Sequence, residues 1–587
     1  MKRIITMINK TARKATIILT IFGLFGCNSQ TEHPVGINSF PPPTQFPVDD
    51  PTPPEQPPTP PEQPMPTPEN ACGLESLSEA ATKGTVYYFC NCAQDSTSGC
   101  QAGEDIGNYT SPSNPGKTIA EAVRKFKAMQ AGDTIALCRG GIFKLPESAA
   151  WVNSKCDKDK RCTVRAYDPP WSKKEKEAKP YIFGGIDVAD GGSANQEQGY
   201  NFAHLRLEGP DDETGKGIFA YNDIDHSLFC DLEINNFRLG VHVARGHAPA
   251  SNNDGKNSYL TFKNLKITNS FRQGFLGGCD HCVIENSYFE NNGFSRPTLD
   301  HNMYIAGDTT GMRIVGNELY QSTKINGRCN GASLVVHGKQ KGLLIENNLV
   351  REDLDAVEPG CWGISVNPGY KNDPESFTDV IIRNNTVVNV GNVSISVTAC
   401  SDCIIENNVI IQEQSLASRA ILAPDRERQT DDTMMNALMV MNNSIYFGRT
   451  TSGIGISVGS EGSGHSIVNN AIQYDGEDIW NCLELDLPDE NYKAVNHNLC
   501  YYPNTQLGSW SQGYRSLNEW KTRGLGLYSI SGDPLFNSIE AGNFDLSTKF
   551  SHSPLVDNGY SSLYSKYDKN GILRDNYPDI GAYEMAP

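Results

Sequence analysis

Between Tyr259 and Cys500 one phrase keeps returning, an apolar residue or two, then Asn or Asn-Asn, then more apolar residues, as in VIENSYF, LIENNLV, IIRNNTVV, IIENNVII and IVNNAIQ. The last Asn of each phrase serves as a ruler, marking Asn264, Asn286, Asn317, Asn348, Asn385, Asn408, Asn443, Asn470 and Asn498, with steps of 22 to 37 residues. A short β-branched run repeated at this spacing means a solenoid, in which each coil buries its apolar face only against its neighbours. The shortest step stays near 22 while the others vary, so a fixed coil carries loops of changing length. Alternation at period two and the weight of Val, Ile and Asn exclude a helical solenoid. The expected fold class is all-β: a right-handed parallel β-helix, its strands about 4.8 Å apart, with Asn at the sharp bends where left-handed backbone is tolerated.

Residues 1–26 read as a secretory leader. Lys2, Arg3, Lys10, Arg13 and Lys14 form its basic region, and residues 17–25 an apolar core too short to span a bilayer. Leu24-Phe25-Gly26-Cys27 resembles the lipobox of bacterial lipoproteins, which implies that Cys27 is the lipidated terminus, and Asn28 after it points to the outer membrane. Residues 27–70 are then an anchor and a spacer dominated by Pro, Thr, Gln and Glu, whose Pro-rich stretch of about 35 residues would reach roughly 100 Å as polyproline II. The expectation is a monomeric body held on an outer-membrane lipid anchor, facing the periplasm or the cell surface, clear of the bilayer and suited to a bulky target.

A formal net charge of −19, more negative still without the leader's five cations, excludes nucleic acid and anionic lipid as partners of the body. A polyanionic glycan requires a cleft that concentrates Arg and Lys or holds a cation such as calcium. Seventeen Cys less Cys27 leave an even number in an oxidising compartment, so disulfides are expected. The pairs Cys279/Cys282 and Cys400/Cys403 lie four coils apart and cannot share a zinc ion. Cys329 and Cys361 lie 12 and 13 residues past the Asn of adjacent coils, within disulfide reach if the coils stack.

The stretch 71–199 reads as an N-terminal cap with the first coils. Thr118-x-x-Glu121 is a capping box, and Ile119, Ala122, Val123, Phe126 and Met129 make one apolar stripe suited to the open end of a solenoid. Residues 200–505 carry the coils and 506–587 a closing segment. The order YYFCNCAQDSTSG, TIAEAV, GDTI at the start, with GDPLFNSIEAGNFDLS, SPLVDNG and DIGAYE at the end, resembles the pectate-lyase-like superfamily of secreted β-helix proteins. That resemblance implies the fold and leaves the reaction open.

The densest chemistry lies in LDHNMYIAG, followed 31 residues later by GASLVVHG. Equal offsets from Asn286 and Asn317 place Tyr304 beside Val335 and Asp300 beside Gly331, with the turn residues Lys324, Arg328 and Asn330 close by and Trp362 arriving one coil later. An aromatic for the sugar face, cations for a carboxylate and groups able to move protons compose a sugar site. For a uronate-containing glycan the least demanding reaction is β-elimination. His301 would be the base, Tyr304 the acid, Arg328 and Lys324 the carboxylate's partners, and Asp300 would orient His301 or bind a cation; base and acid could exchange among His301, Tyr304 and Lys324. Asn302, Asn330 and Trp362 would contact the sugar. DHNMYI resembles a His-Asn-x-Tyr strand of secreted carbohydrate-active β-helix proteins that is followed by a Lys/Arg-bearing turn. Only Asp300-His301 remains of the Asp-Pro-His-Asp of mannuronan C5-epimerases, and the grouped Asp set of polygalacturonases is absent. Asp353, Asp355 and Glu358 crowd one turn and could serve a hydrolase with Asp300 or hold calcium. No cofactor is required, with calcium left open. The alternatives to a lyase are a uronate C5-epimerase, a glycoside hydrolase or a non-catalytic glycan-binding protein.

Overall fold

A computed structural model describes residues 71–585 except 94–95, 147–148, 174–176, 190–196, 211–212, 247–254, 297, 425–427, 477–479, 504–507 and 538–543. The leader, Cys27 and the Pro-rich spacer lie outside the described residues. Among the described residues no helix is long and apolar enough to cross a membrane.

Three long parallel sheets wind around one axis as a right-handed parallel β-helix. The first has 14 strands, the second 13 and the third 12. Each coil runs from the first sheet through a tight corner to the second, then by a loop of varying length to the third. In one coil the strands are Val283–Glu285, Tyr288–Glu290 and Met303–Ile305. Coils begin as early as Val86–Phe89, and the third sheet continues to Gly508–Ser511. Inward positions fill a continuous apolar core, with Phe202, Phe229 and Phe262 stacked at centroid distances of 5.6 and 5.2 Å.

The Asn phrases form the corner between the first and second sheets. Two positions matter there: a left-handed residue, then a buried one. Asn347, Asn384, Asn407, Asn442 and Asn469 have φ of 53 to 58°. The residue after each, Asn348, Asn385, Asn408, Asn443 or Asn470, builds with Asn317 and Asn498 a buried ladder in which each amide oxygen after that of Asn317 accepts from the backbone N–H and Nδ2 of the preceding Asn, and that of Asn317 accepts from the Ser287 N–H. Buried amides are thus satisfied along the axis. The ruler's first two marks need correction, because Asn264 and Asn286 occupy the left-handed position (φ 53 and 51°) and their coils carry Leu265 and Ser287 in the ladder. Val283 pairs with Arg313, 30 residues on, whereas Met303 pairs with Leu334, 31 on. One extra residue in the later coil cancels the misplaced mark, so Tyr304 does face Val335.

Helix α1 (Leu77–Lys83) carries a complete capping box between Ser76 and Glu79. In α2 (Ile119–Ala128) the Thr118 hydroxyl accepts from the Glu121 N–H, but the Glu121 carboxylate turns to Arg124, so half of the expected box is present. The stripe is buried as expected, and Phe126 packs on Trp151, Tyr200 and Phe202. Helix α3 (Leu517–Lys521) brings Trp520 into the core at the other end. The chain after it runs back along the corner instead of across the end: Tyr560 bonds Asn469, Ser565 bonds Asn442 and Asn407, and Lys569 reaches the Asn384 carbonyl. All sixteen cysteines from Cys72 onward pair into eight disulfides, including Cys279–Cys282, Cys400–Cys403 and Cys329–Cys361, whose Cα atoms are 5.3 Å apart.

Candidate functional site

Along each strand of the third sheet, side chains alternate between core and outer face. Met303 and Ile305 point in and are fully buried, so Tyr304 points out, in register with Val335 and Ser365 on the next two coils. A second outward row holds Ala332 in register with Trp362, and His301 joins it, its Nδ1 2.9 Å from the Ala332 carbonyl. An open groove of about 270 Å³ runs over these rows, lined by Thr298, His301, Ala332, Val335, His337 and Trp362 among others. Of its lining residues His301 and His337 belong to a run of rings: His301 to Tyr304 at 5.7 Å, Tyr304 to His337 at 5.1 Å and His337 to Tyr370 at 5.4 Å between centroids.

Burial and backbone contacts set the chemistry of these rings. A carbonyl oxygen only accepts, so His301 carries its proton on Nδ1 and offers Nε2 as a base. Burial pushes its pKa down to about 4, against the pull of the Ala332 carbonyl, so the ring is neutral at pH 7. His337 donates from Nδ1 to the Asn367 carbonyl at 2.6 Å. Burial pushes the Tyr304 phenol well above its ordinary range, helped by Tyr370, whose hydroxyl lies 3.5 Å away, so Tyr304 stays protonated. Behind Tyr370, the buried Glu375 carboxylate accepts from the backbone N–H groups of Gly338, Gly369 and Tyr370 and fixes the loop.

His301, Tyr304 and Trp362 come together as the sequence implied, but the other candidates separate. Asp300 is fully buried, with its carboxylate on Arg296 at 2.6 and 3.0 Å and on the Gln273 amide at 3.0 Å, so it does not touch His301 Nδ1. Asn302 is internal, bonded to Asn292, Ser333 and the Tyr320 carbonyl. Asn330 pins a loop through its backbone, to Thr323 and Thr298. Arg328 is occupied by the Glu358 carboxylate and the carbonyls of Asp355 and Val357. Lys324 faces a different hollow, beside Lys266 and Glu290 on the second sheet. The hairpin that bears both, Lys324–Ile325 with Arg328–Cys329, is antiparallel and belongs to none of the three long sheets, a geometry that counting along parallel coils cannot register. Among the described residues lining the groove there is therefore no cation.

The acidic turn does not assemble for an ion. Asp353 accepts from Tyr320 and Gln321, Asp355 from Arg449, and Glu358 from Arg328. Cys329, Glu352 and Cys361 have ligand atoms within 4.8 Å of one another, but both sulfurs are consumed in a disulfide. His337, Tyr370, Glu375 and Arg296 escaped the sequence reading. His337 stood in the same GASLVVHG phrase, directly after the strand Ala332–Val336; Tyr370 and Glu375 lie in a loop with no periodic mark.

No family model matches the chain, and no curated protein matches it. Solved structures similar to it include pectate lyase Pel9A (16% identity, 86% of this chain and 97% of that chain, TM-score 0.37) and XylC in complex with xylose (10%, 86% and 98%, 0.42). A third is the tailspike protein of E. coli bacteriophage HK620 in complex with a pentasaccharide (12%, 74% and 72%, 0.37). No residue role follows from these likenesses.

Proposed function

We propose that the groove on the third sheet binds a polysaccharide and that the protein is a glycan lyase acting by β-elimination at a uronate. The observation that carries the reading is the convergence of His301, His337 and Trp362 on one open groove, with the Tyr304 ring packed between the two histidines at 5.7 and 5.1 Å. Trp362 supplies an apolar face for a pyranose ring. The neutral His301 Nε2 takes the proton alpha to the carboxylate; its electron pair forms the new C=C bond as the bond to the glycosidic oxygen breaks, and the protonated Tyr304 gives its proton to that oxygen. A hydrolase is disfavoured, since the described lining residues include no carboxylate to form the pair that hydrolysis needs. The lipid anchor at Cys27 would hold this body at the outer membrane.

One observation favours a second reading, glycan capture without chemistry: His301 is only 5% exposed and its Nδ1 is held by backbone. The test incubates the purified body with a panel of uronate polysaccharides and follows near-ultraviolet absorbance and reducing ends together. A lyase gives both signals, and His301→Ala lowers turnover by at least about 10²-fold without loss of fold. Retention on the glycan with neither signal establishes capture instead, and no retention of any glycan sinks both readings.

A further inference from the structure

The groove lacks the cations that a uronate carboxylate needs, yet cations are gathered just upstream on the same face. The Arg272 N–H donates to the Arg238 carbonyl at 2.9 Å, and the Ser295 N–H to the Phe271 carbonyl at 2.8 Å. Arg238, Arg272 and Arg296 therefore hold equivalent places on three successive coils, each at the corner leading to a strand of the third sheet, Leu239–Ala244, Phe275–Gly277 and Met303–Ile305. Lys216 opens the preceding strand of that sheet, in register with Leu239 beside Arg238, and its ammonium lies over the Phe219 ring at 3.1 Å. Phe219 pairs with His242, and His242 with Leu276, which pairs with Tyr304. One outward row thus joins this cationic end to the groove.

What these groups lack points to their ligand. Arg296 is taken by Asp300, but Arg238 and Arg272 have no side-chain partner among the described residues. Burial holds Lys216 below the usual ammonium range, and the Arg238 charge adds to this against the pull of Asp187. The Asp187 carboxyl is itself pushed up by burial. His242 Nδ1 is buried with no partner. In a chain of net charge −19, Lys216 and Arg238 stand close enough to repel, with Asp187 as the acidic group acting on Lys216, and an anion placed between them relieves that repulsion. Coils spaced about 4.8 Å apart would set these cations at a repeat comparable to that of successive sugars in an extended chain.

We propose that Lys216, Arg238 and Arg272 form an anion-binding ladder that takes carboxylate or sulfate groups on successive residues of a polyanionic glycan and feeds that chain into the His301 groove. The proposal rests on the glycan reading of the groove, and the test separates the two. The probes are polygalacturonate and alginate as polyanions and a neutral β-glucan as control, measured by affinity electrophoresis and calorimetry with the wild type, the Arg238→Gln/Arg272→Gln variant and Trp362→Ala. The expected result is that the double variant weakens polyanion binding roughly tenfold or more and loses most of its salt dependence, with its melting temperature and neutral-glucan binding unchanged. Trp362→Ala weakens both kinds of glycan. Equal polyanion binding by wild type and double variant overturns the ladder and leaves the groove reading in place, whereas wild-type binding of the neutral glucan alone overturns the ladder and the uronate specificity while leaving the groove as a glycan site. Binding of none of the three glycans overturns both.

Discussion

His301 and Glu352 are both buried ionisable residues, and burial moves them in opposite directions. The His301 pKa falls from 6.5 to about 4, so the unfolded chain takes up a proton before the folded one does. Its contribution to stability is fully present above pH 6.5 and is lost as pH falls through 4. Glu352, which accepts from the Ser322 N–H beside the Cys329–Cys361 bridge, is pushed up from 4.5 to about 8 by burial. Here the folded state keeps a proton that the unfolded chain releases, so stability is lost progressively as pH rises from 4.5 to 8. Glu352→Gln is therefore expected to gain on the wild type with rising pH, read as the difference between their melting temperatures at about pH 5 and about pH 8. A constant difference across that range would mean that Glu352 is already ionised in the folded protein.

The Asn ladder is the element that repeats, and its two corner positions differ in what a substitution removes. At Asn385, Ala would strip the acceptor from the Asn348 N–H and Nδ2 and the donors from the Ile345 carbonyl and Asn408 Oδ1, all inside the coil. The expected loss is about 2–4 kcal/mol in urea unfolding. At Asn264, where the residue is only half-buried and the need is for left-handed backbone, Ala should cost about 1 kcal/mol. Equal losses at the two positions would contradict the division into a bend and a ladder. The sequence reading saw a single Asn ruler because both positions favour the same residue for different reasons, one for its φ and one for its amide.

For the whole molecule, the C-terminal chain acts as a strap along that corner. Its anchor is Arg574, whose fully buried guanidinium bonds Glu584 at 2.9 Å, Asn407 Oδ1 at 3.2 Å and the Gly581 carbonyl at 2.8 Å. Replacing it with Met leaves Glu584 buried without its cation, at a cost of about 3–5 kcal/mol. Because a solenoid's coils hold one another independently of the strap, Arg574→Met should first free the tail. Limited proteolysis would then cut after about residue 530 while the coils stay intact, and simultaneous digestion of tail and coils would refute the strap.

The fold and the pairing of Tyr304 with Val335 were legible because a parallel coil repeats its burial pattern at nearly constant spacing, so periodic residues report it directly. The Cys329–Cys361 bridge and the placing of His301 and Trp362 on one groove, with Tyr304 beside His301, followed from the same counting. What the count could not supply lies in the loops between sheets, where chain direction is free. There the antiparallel hairpin carries Lys324 and Arg328 away from the groove, and the turn after Trp362 brings Tyr370 onto His337. Burial, too, is a property of the packed coil: it turned Asp300 into the partner of Arg296, while Arg238 and Arg272, at the equivalent places of the two preceding coils, have no side-chain partner among the described residues.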